Sequence, residues 1–447
     1  MPARHLSHST CKSLVGLPTA AALVVANMIG TGVFTSLGFQ LKDFHSPFII
    51  IMLWLLGGVF ALCGALSYAE LAGALPRSGG EYHFLGRIYH PALGFMAGMV
   101  SLVAGFSAPT ALAAMAFGKY LQGIFPHIPP QGASLVLVTL VSVVHLVSIR
   151  MSGLFQTIVT IIKIALIATF LIMGFSLVQW EKPISFFPPP NAWQAIFSPA
   201  FAIALMFAMF SYSGWNAAVY IADEIQSPEK NVGKALLLGT AIVTVLYVLL
   251  NSVFLLTAPI PALEGQLDVG RIASKYLFGN FGGLLISGLI CLSIVASVSA
   301  MTWAGPRVSA AMGTDHPPLH WLALRTSKGV PWLATVFQYA LVVLLLLTTS
   351  FETVLIYAEF ALVACCLLTS LGVIVLRHTQ PDLPRPFQCW AYPLPPLLFC
   401  AISLLTLVYS AFKKPWESLA SLTTLLILVI AYFPIHKFQV GTRAQRQ

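Results

Sequence analysis

From Leu17 to Phe39 the chain carries no charged residue, and about 20 apolar residues suffice to cross a bilayer. The middle of that run reads Met28-Ile29-Gly30-Thr31-Gly32-Val33-Phe34. Gly-Thr-Gly weakens a helix at the depth where a lipid-facing span would carry Leu or Val. Backbone released from a helix there is tolerated only where protein or a wet cavity covers it. The break therefore marks a site inside a membrane protein.

The remainder of the chain fits the same solvent. Of its 447 residues 58% are apolar and 8% are charged, with a mean hydropathy of +0.88, values foreign to a soluble domain. Apolar runs predict an all-α integral membrane protein with twelve spans, at about 17–40, 48–73, 92–123, 133–150, 154–179, 197–222, 234–258, 281–304, 332–350, 353–376, 393–412 and 417–436. The first run is too long for a signal-peptide core and has no small-residue cleavage site after it, so it is expected to stay. With the N-terminus inside, fifteen basic residues fall in inner segments and seven in outer ones. Positive charge follows the cytosolic side, which predicts cytosolic tails at 1–16 and 437–447. The net charge of +9 then answers to anionic lipid head groups, and no nucleic-acid partner is expected. The seven cysteines avoid the outer loops and show no metal-ligand spacing, so neither a disulfide framework nor a metal site is expected.

Span six repeats the peculiarity of span one. Its apolar run reaches Phe210 and is interrupted by Ser211-Tyr212-Ser213-Gly214 before Trp215-Asn216-Ala217 resumes. Matching breaks in the first span of each half point to an inverted repeat with a mid-membrane binding site. Spans one to five (17–179) and six to ten (197–376) would be the two units, with the last two spans (393–436) outside them. The start of a half-helix has unpaired N–H groups and partial positive charge, which suit a carboxylate. The end of the preceding half-helix offers unpaired carbonyls, which suit an ammonium. A small zwitterion satisfies both poles without a buried charged side chain, and neither break contains Asp, Glu, Lys or Arg.

Several motifs then occur in a consistent order. They are Gly30-Thr31-Gly32-Val33-Phe34, Ser67-Tyr68-Ala69-Glu70-Leu71, Leu75-Pro76-Arg77-Ser78-Gly79-Gly80-Glu81-Tyr82 and Phe210-Ser211-Tyr212-Ser213-Gly214-Trp215-Asn216. Asp223-Glu224, Ser227-Pro228-Glu229-Lys230-Asn231, Ala304-Gly305-Pro306-Arg307 and Leu383-Pro384-Arg385-Pro386-Phe387 follow. Between about residues 14 and 412 the chain resembles the amino acid–polyamine–organocation superfamily, and within it bacterial relatives of the L-type amino acid transporters. The resemblance implies a sodium-transporter-like fold of five plus five inverted helices that carries amino acids by alternating access. It also implies that the amides around Gly30, Thr31 and Gly32 hold the substrate carboxylate, and that the carbonyls of Met28, Phe210 and Ser213 hold its ammonium. The Phe210 ring would gate the site from outside, and Asn216 would line the side-chain pocket. Ser213 stands where the family more often has Gly, which would narrow the pocket.

Lys163 lies about ten residues, or roughly 15 Å, into span five. An ammonium at that depth costs at least about 2.5–3.5 kcal/mol, so it needs a partner and a role. In the resembled family a lysine here occupies the place of a bound sodium ion, which implies sodium-independent transport, and Tyr247 of span seven stands near it. A purely structural tie from Lys163 to a span-one carbonyl fits the residues equally well. Glu359 is the other intramembrane charge, in span ten, where the family more often has a small residue. It could carry a proton, form part of a thin gate, or reach outer water. Glu70 and Glu224 are expected to pair with Arg77, Arg87 and Lys230 as a cytosolic gate. His145 reads as a hydrogen-bonded packing residue.

Together these features predict a secondary transporter of neutral amino acids in a bacterial inner membrane, working as an exchanger or with protons. No acidic side chain is expected to line either break and greet a basic tail. An exporter of branched-chain amino acids or methionine, and a carrier of cationic amino acids or polyamines, are the alternatives among carriers. An ion channel is the rival from another class, but it would need filter-like rings that the chain lacks. No nucleophile–base cluster suggests an enzyme, and no cofactor is implied. The loop after span three (122–132) has no cysteine, so no disulfide-linked accessory subunit is expected.

Overall fold

A computed structural model describes residues 16–77, 79–147, 150–177, 185–326 and 330–444. Every described element is helical. The first half runs through α1 (Leu17–Met28), α2 (Gly32–Gln40), α3 (Pro47–Ala74), α4 (Glu81–Ile88) and α5 (Pro91–Val100). A π-helical segment (Ser101–Ser107) then joins α5 to α6 (Ala108–Ile124), followed by α7 (Pro130–Val147) and α8 (Arg150–Leu177). The second half has α9 (Ala192–Ile196), α10 (Pro199–Tyr212), a 3₁₀ stretch (Ala217–Glu224), α11 (Pro228–Thr257), α12 (Ile260–Leu263) and α13 (Val269–Asp315). It closes with α14 (His320–Ala323), α15 (Trp332–Thr348), α16 (Phe351–Thr379), α17 (Leu394–Lys413) and α18 (Pro415–Ala444).

Each of the twelve predicted runs finds helix at its place. Eight of the described helical stretches are long and apolar enough to cross a membrane, counting Leu17–Gln40 as one, and four more are shorter apolar helices. Local chemistry sets the starts. Proline opens α3, α5, α7, α10, α11 and α18, where its missing N–H costs nothing and its fixed φ is already helical. Ser198 and Ser350 cap α10 and α16 by accepting from Phe201 N–H and Thr353 N–H. The predicted 281–304 run proves shorter than its helix. α13 continues to Asp315, and left-handed Gly279 (φ 71°) separates Val269–Phe278 from the main body.

Small residues bring the inner helices together, as they do where lipid removes the hydrophobic drive between spans. A Cβ on Gly58 of α3 would meet Thr244 of α11 at 2.3 Å, and one on Gly239 of α11 would meet Val24 of α1 at 2.7 Å. α1, α2, α3, α10 and α11 therefore form the centre. Large apolar side chains instead face outward on α17 and α18, among them Leu404, Phe412, Trp416, Leu426 and Ile430. Such a belt suits lipid rather than water. Six cysteines among the described residues are free, and Cys11 lies outside them.

Candidate functional site

Both predicted breaks are present. α1 ends at Met28, Ile29 leaves helical geometry (ψ 83°), and Gly30 N–H turns back onto the Met28 carbonyl at 2.8 Å. α2 restarts at Gly32. In the second break α10 ends at Tyr212, Ser213 is extended (ψ 146°), and Gly214 takes φ 95°, a conformation glycine alone adopts freely. The two breaks are pressed against each other. A Cβ on Gly32 would sit 2.6–2.9 Å from Ser211, and one on Gly214 would sit 3.0 Å from the Asn27 backbone. Ser36 and Ser211 share a hydrogen bond of 2.9 Å.

Tyr247 ties the breaks from α11. Its hydroxyl faces the Met28 carbonyl at 2.5 Å and the Ser211 carbonyl at 3.1 Å, so one side chain reaches the ends of both α1 and α10. Around this contact Met28, Thr31, Gly32 and Phe210 are buried, whereas Gly30, Ser213, Gly214 and Asn216 keep partial exposure. The amides of Gly32 and Val33 open α2 without an intrahelical partner, Phe34 N–H bonds the Thr31 carbonyl at 3.0 Å, and the ends of α1 and α10 are close by. Opposite poles meet within one turn of each other. Phe210 is buried in a cluster with apolar residues of α16, Leu355 and Ile356 among them.

Lys163 is 2% exposed. Its ammonium donates to the Ile29 carbonyl at 3.0 Å and to Ser297 Oγ of α13 at 2.7 Å. The first acceptor belongs to the break itself, at the negative end of α1. No carboxylate pairs with Lys163 among the described residues. Tyr247 reaches the neighbouring Met28 carbonyl, so lysine and tyrosine grip adjacent peptide units. Glu359 is 4% exposed, and its Oε2 has no hydrogen-bond partner. His145 bonds Ser299 Oγ at 2.9 Å, as a packing histidine should.

The expected gate is built differently. Glu70 does not pair with Arg77, Arg87 or Lys230, all of which are exposed. Its carboxylate receives Arg377 of α16 in a two-pronged bond (Nε and Nη2, both 2.7 Å), Arg385 Nε at 3.5 Å and Cys389 N–H at 2.8 Å. The planar guanidinium matches a carboxylate in a way an exposed surface lysine cannot. The side chain of Glu224 lies outside the described residues.

A second acid was missed. Gly79 (φ 125°) and Gly80 (φ 55°) turn the chain sharply after α3, and a Cβ on Gly80 would strike the Tyr220 ring at 2.5 Å. That turn drives Glu81, the first residue of α4, into the interior, where it is 4% exposed. Its carboxylate accepts from Tyr68 (2.9 Å), Asn216 Nδ2 (2.6 Å), Tyr220 (2.6 Å) and, at 3.9 Å, the Cys366 thiol. The expectation that no acid lies against either break is therefore corrected, because Asn216 belongs to the second. The signal was an acidic residue directly after Gly-Gly, and it reads as a solvated loop until the turn is seen.

Comparison with known proteins decides the family, for the amino acid permease profile matches residues 15–433. The chain belongs to the amino acid permease family. Within the superfamily this permease is 29% identical over 412 residues to the serine/threonine exchanger SteT of Bacillus subtilis (strain 168), covering 90% of this chain and 92% of that one. It is 29% identical over 442 residues to the large neutral amino acids transporter small subunit 2 of Mus musculus, covering 94% and 81%. Similarity to the Asc-type amino acid transporter 1 of Mus musculus is 27% over 414 residues, covering 90% and 77%. Family membership makes the permease a multi-pass membrane transporter of amino acids, in keeping with its apolar helices and two broken ones.

Proposed function

We propose that this permease exchanges neutral amino acids across a bacterial inner membrane by alternating access, without sodium. The observation that carries the reading is the meeting of the two breaks, with Lys163 bonded to Ile29 and Tyr247 bonded to Met28. Amides at the start of α2, around Gly30, Thr31 and Gly32, receive the substrate carboxylate. Carbonyls of Met28, Phe210 and Ser213 receive its ammonium, and Asn216 stands at the side-chain end. Residues 17–179 and 197–376 form the two inverted units of a twelve-span fold, and both termini are cytosolic.

Sodium independence follows from charge. A fixed ammonium already balances the carbonyl dipoles at the end of α1, so a second cation there would meet repulsion. The relatives named for serine and threonine and for large neutral amino acids support neutral substrates. Glu81 does not argue for a basic one, since three neutral donors at 2.9 Å or less already occupy its carboxylate. The permease works without a disulfide-linked partner subunit and performs no covalent chemistry. Reconstitution into liposomes tests this, with counterflow of each of the twenty amino acids measured with and without sodium. Saturable counterflow of neutral substrates in potassium medium is expected. A strict sodium requirement, or arginine or putrescine as the best substrate, would overturn the assignment. A channel would show no counterflow at all.

A further inference from the structure

The hydrogen bonds around Glu81 form a closed ring. Its Oε1 accepts from Asn216 Nδ2 at 2.6 Å, and its Oε2 accepts from the Tyr220 hydroxyl at 2.6 Å. The Tyr220 oxygen in turn accepts from Asn216 Nδ2 at 3.4 Å. Each member leaves its neighbour a single role. A carboxylate has no proton to give, so of the two ends of the Asn216 amide only the NH2 group can face it. Tyr220 donates its one proton to Glu81, so towards Asn216 it can only accept. Both amide hydrogens of Asn216 are thereby committed, and bonds within such a network reinforce one another.

The acid that fixes this arrangement is itself firmly held. Glu81 is 4% exposed, and Tyr68 of α3 donates to its Oε1 at 2.9 Å. The Tyr68 ring also lies edge-on to Trp215, the residue before Asn216, with centroids 4.7 Å apart. What remains of the Asn216 amide is its oxygen. Oδ1 receives no hydrogen bond among the described residues, and on this half-buried side chain it is not shut in by protein. An acceptor without a donor stands open beside the second break.

We infer that Glu81 is a positioning residue for substrate selection: it locks the Asn216 amide with its oxygen outward, and the carrier thereby favours neutral side chains that donate a hydrogen bond over apolar ones of the same shape. The inference deepens the reading above and rests on it, since that reading puts Asn216 at the side-chain end of the substrate. A hydroxyl or carboxamide on the substrate satisfies Oδ1, whereas an alkyl group strips water from it and offers no donor. An ether only accepts, so it gains nothing from Oδ1. Were the amide turned round, the ether would be the favoured ligand.

Two pairs of amino acids with matched shapes read this out in liposomes holding the full-length protein. Threonine and valine share one outline, O-methylserine and norvaline another. Each is titrated as an inhibitor of counterflow of the best-transported labelled amino acid, and inhibition constants are compared within each pair. One neutral hydrogen bond is worth about two- to tenfold in affinity. Threonine is accordingly expected to bind at least about threefold tighter than valine, and O-methylserine no tighter than norvaline. A smaller threonine preference, or an O-methylserine that outcompetes norvaline, overturns the proposal in the unaltered protein alone. Asn216→Leu, of similar size with no acceptor, is expected to bring the threonine-to-valine ratio towards one. Glu81→Met, which fills the place of the acid without holding the amide, is expected to do the same. A merely structural role would lower counterflow of all substrates alike and leave that ratio in place. An undiminished ratio in either transporting variant therefore also overturns the proposal, and should neither variant fold, the two pairs still decide it. Absence of counterflow for all twenty amino acids sinks the carrier reading, whereas counterflow without the threonine preference sinks only the role of Glu81.

Discussion

Lys163 and Ile29 stand 134 residues apart in the chain, yet the lysine ammonium lies 3.0 Å from the isoleucine carbonyl, inside the unwound turn of the first broken helix. A carbonyl freed from a helix in the interior must find a donor. Lys163 supplies one and adds a full charge to the negative end of α1. The second acceptor, Ser297, anchors the same ammonium to α13 at 2.7 Å. Three elements thus share one cation.

Lys163→Met is accordingly expected to abolish counterflow while leaving an inserted protein. Removing a donor from a buried acceptor costs about 1–3 kcal/mol, which a helical membrane protein of this size tolerates, but the geometry of the break is lost. Thermal unfolding in detergent and counterflow in liposomes check the two halves. Lys163→Met with unaltered transport would remove the lysine from the mechanism.

The three glycines of the breaks separate packing from binding. Gly32→Ala forces a methyl into Ser211 at 2.6–2.9 Å, and Gly214→Ala combines φ 95° with a 3.0 Å approach to Asn27. Each is expected to cost about 1–3 kcal/mol of stability. At Gly30 the nearest atom to an added Cβ is the Met28 carbonyl, 3.9 Å away. Gly30→Ala should keep its melting temperature, and its effect should fall on KM, because the methyl occupies the place proposed for the substrate carboxylate. A melting temperature lowered as far as that of Gly32→Ala would contradict this division.

Much of this arrangement can be read along the chain because it is written locally. Gly30, Thr31 and Gly32 interrupt an otherwise unbroken apolar run, and Ser211 to Gly214 do the same, so both breaks show without any tertiary information. Lys163 shows by its cost. The ion pair of Glu70 does not, because Glu70 takes its partner from 307 residues downstream, and nothing in local spacing distinguishes Arg377 from nearer Arg77. Glu81 was hidden for another reason. Whether Gly79-Gly80 leads a chain outward or folds it back under α3 depends on two positive φ angles, and glycine permits either direction.

The true partners of Glu70 make a testable gate. Breaking a buried ion pair by removing one member costs about 3–5 kcal/mol when both charges are enclosed, and the 26% exposure of Arg377 places this pair at the low end. Glu70→Gln also replaces the charged acceptor of Cys389 N–H with a neutral amide oxygen and puts an NH2 group in place of one of the oxygens that Arg377 grips. Burial pushes the Cys389 thiol up to about 12, so it resists maleimide near neutral pH in the unaltered protein. Glu70→Gln and Arg377→Gln are both expected to raise Cys389 labelling, and Arg77→Gln to leave it unchanged. Equal effects from Arg77→Gln would restore the partner assignment suggested by the sequence.

At the opposite end of α16, Glu352 collects two lysines, Lys414 at 2.8 Å from between α17 and α18 and Lys42 at 3.4 Å from just past α2. Its hydrogen bond from Lys414, ahead of their Coulomb attraction, holds the Lys414 ammonium above the ordinary lysine range. A lysine raised in the folded state contributes its full stabilisation below the unfolded value. It loses that stabilisation as pH climbs through the folded one, so the effect appears only in alkali, above about pH 10. Such partly exposed pairs contribute up to about 1 kcal/mol each. Lys414→Gln should therefore lower the melting temperature slightly at pH about 8 and flatten its alkaline decline. Glu352→Gln should do more than either lysine substitution, since it releases α2 and the α17–α18 connection together. If Glu352→Gln and Lys414→Gln proved equivalent, Lys42 would hold nothing, and the outer end of α2 would be free of α16.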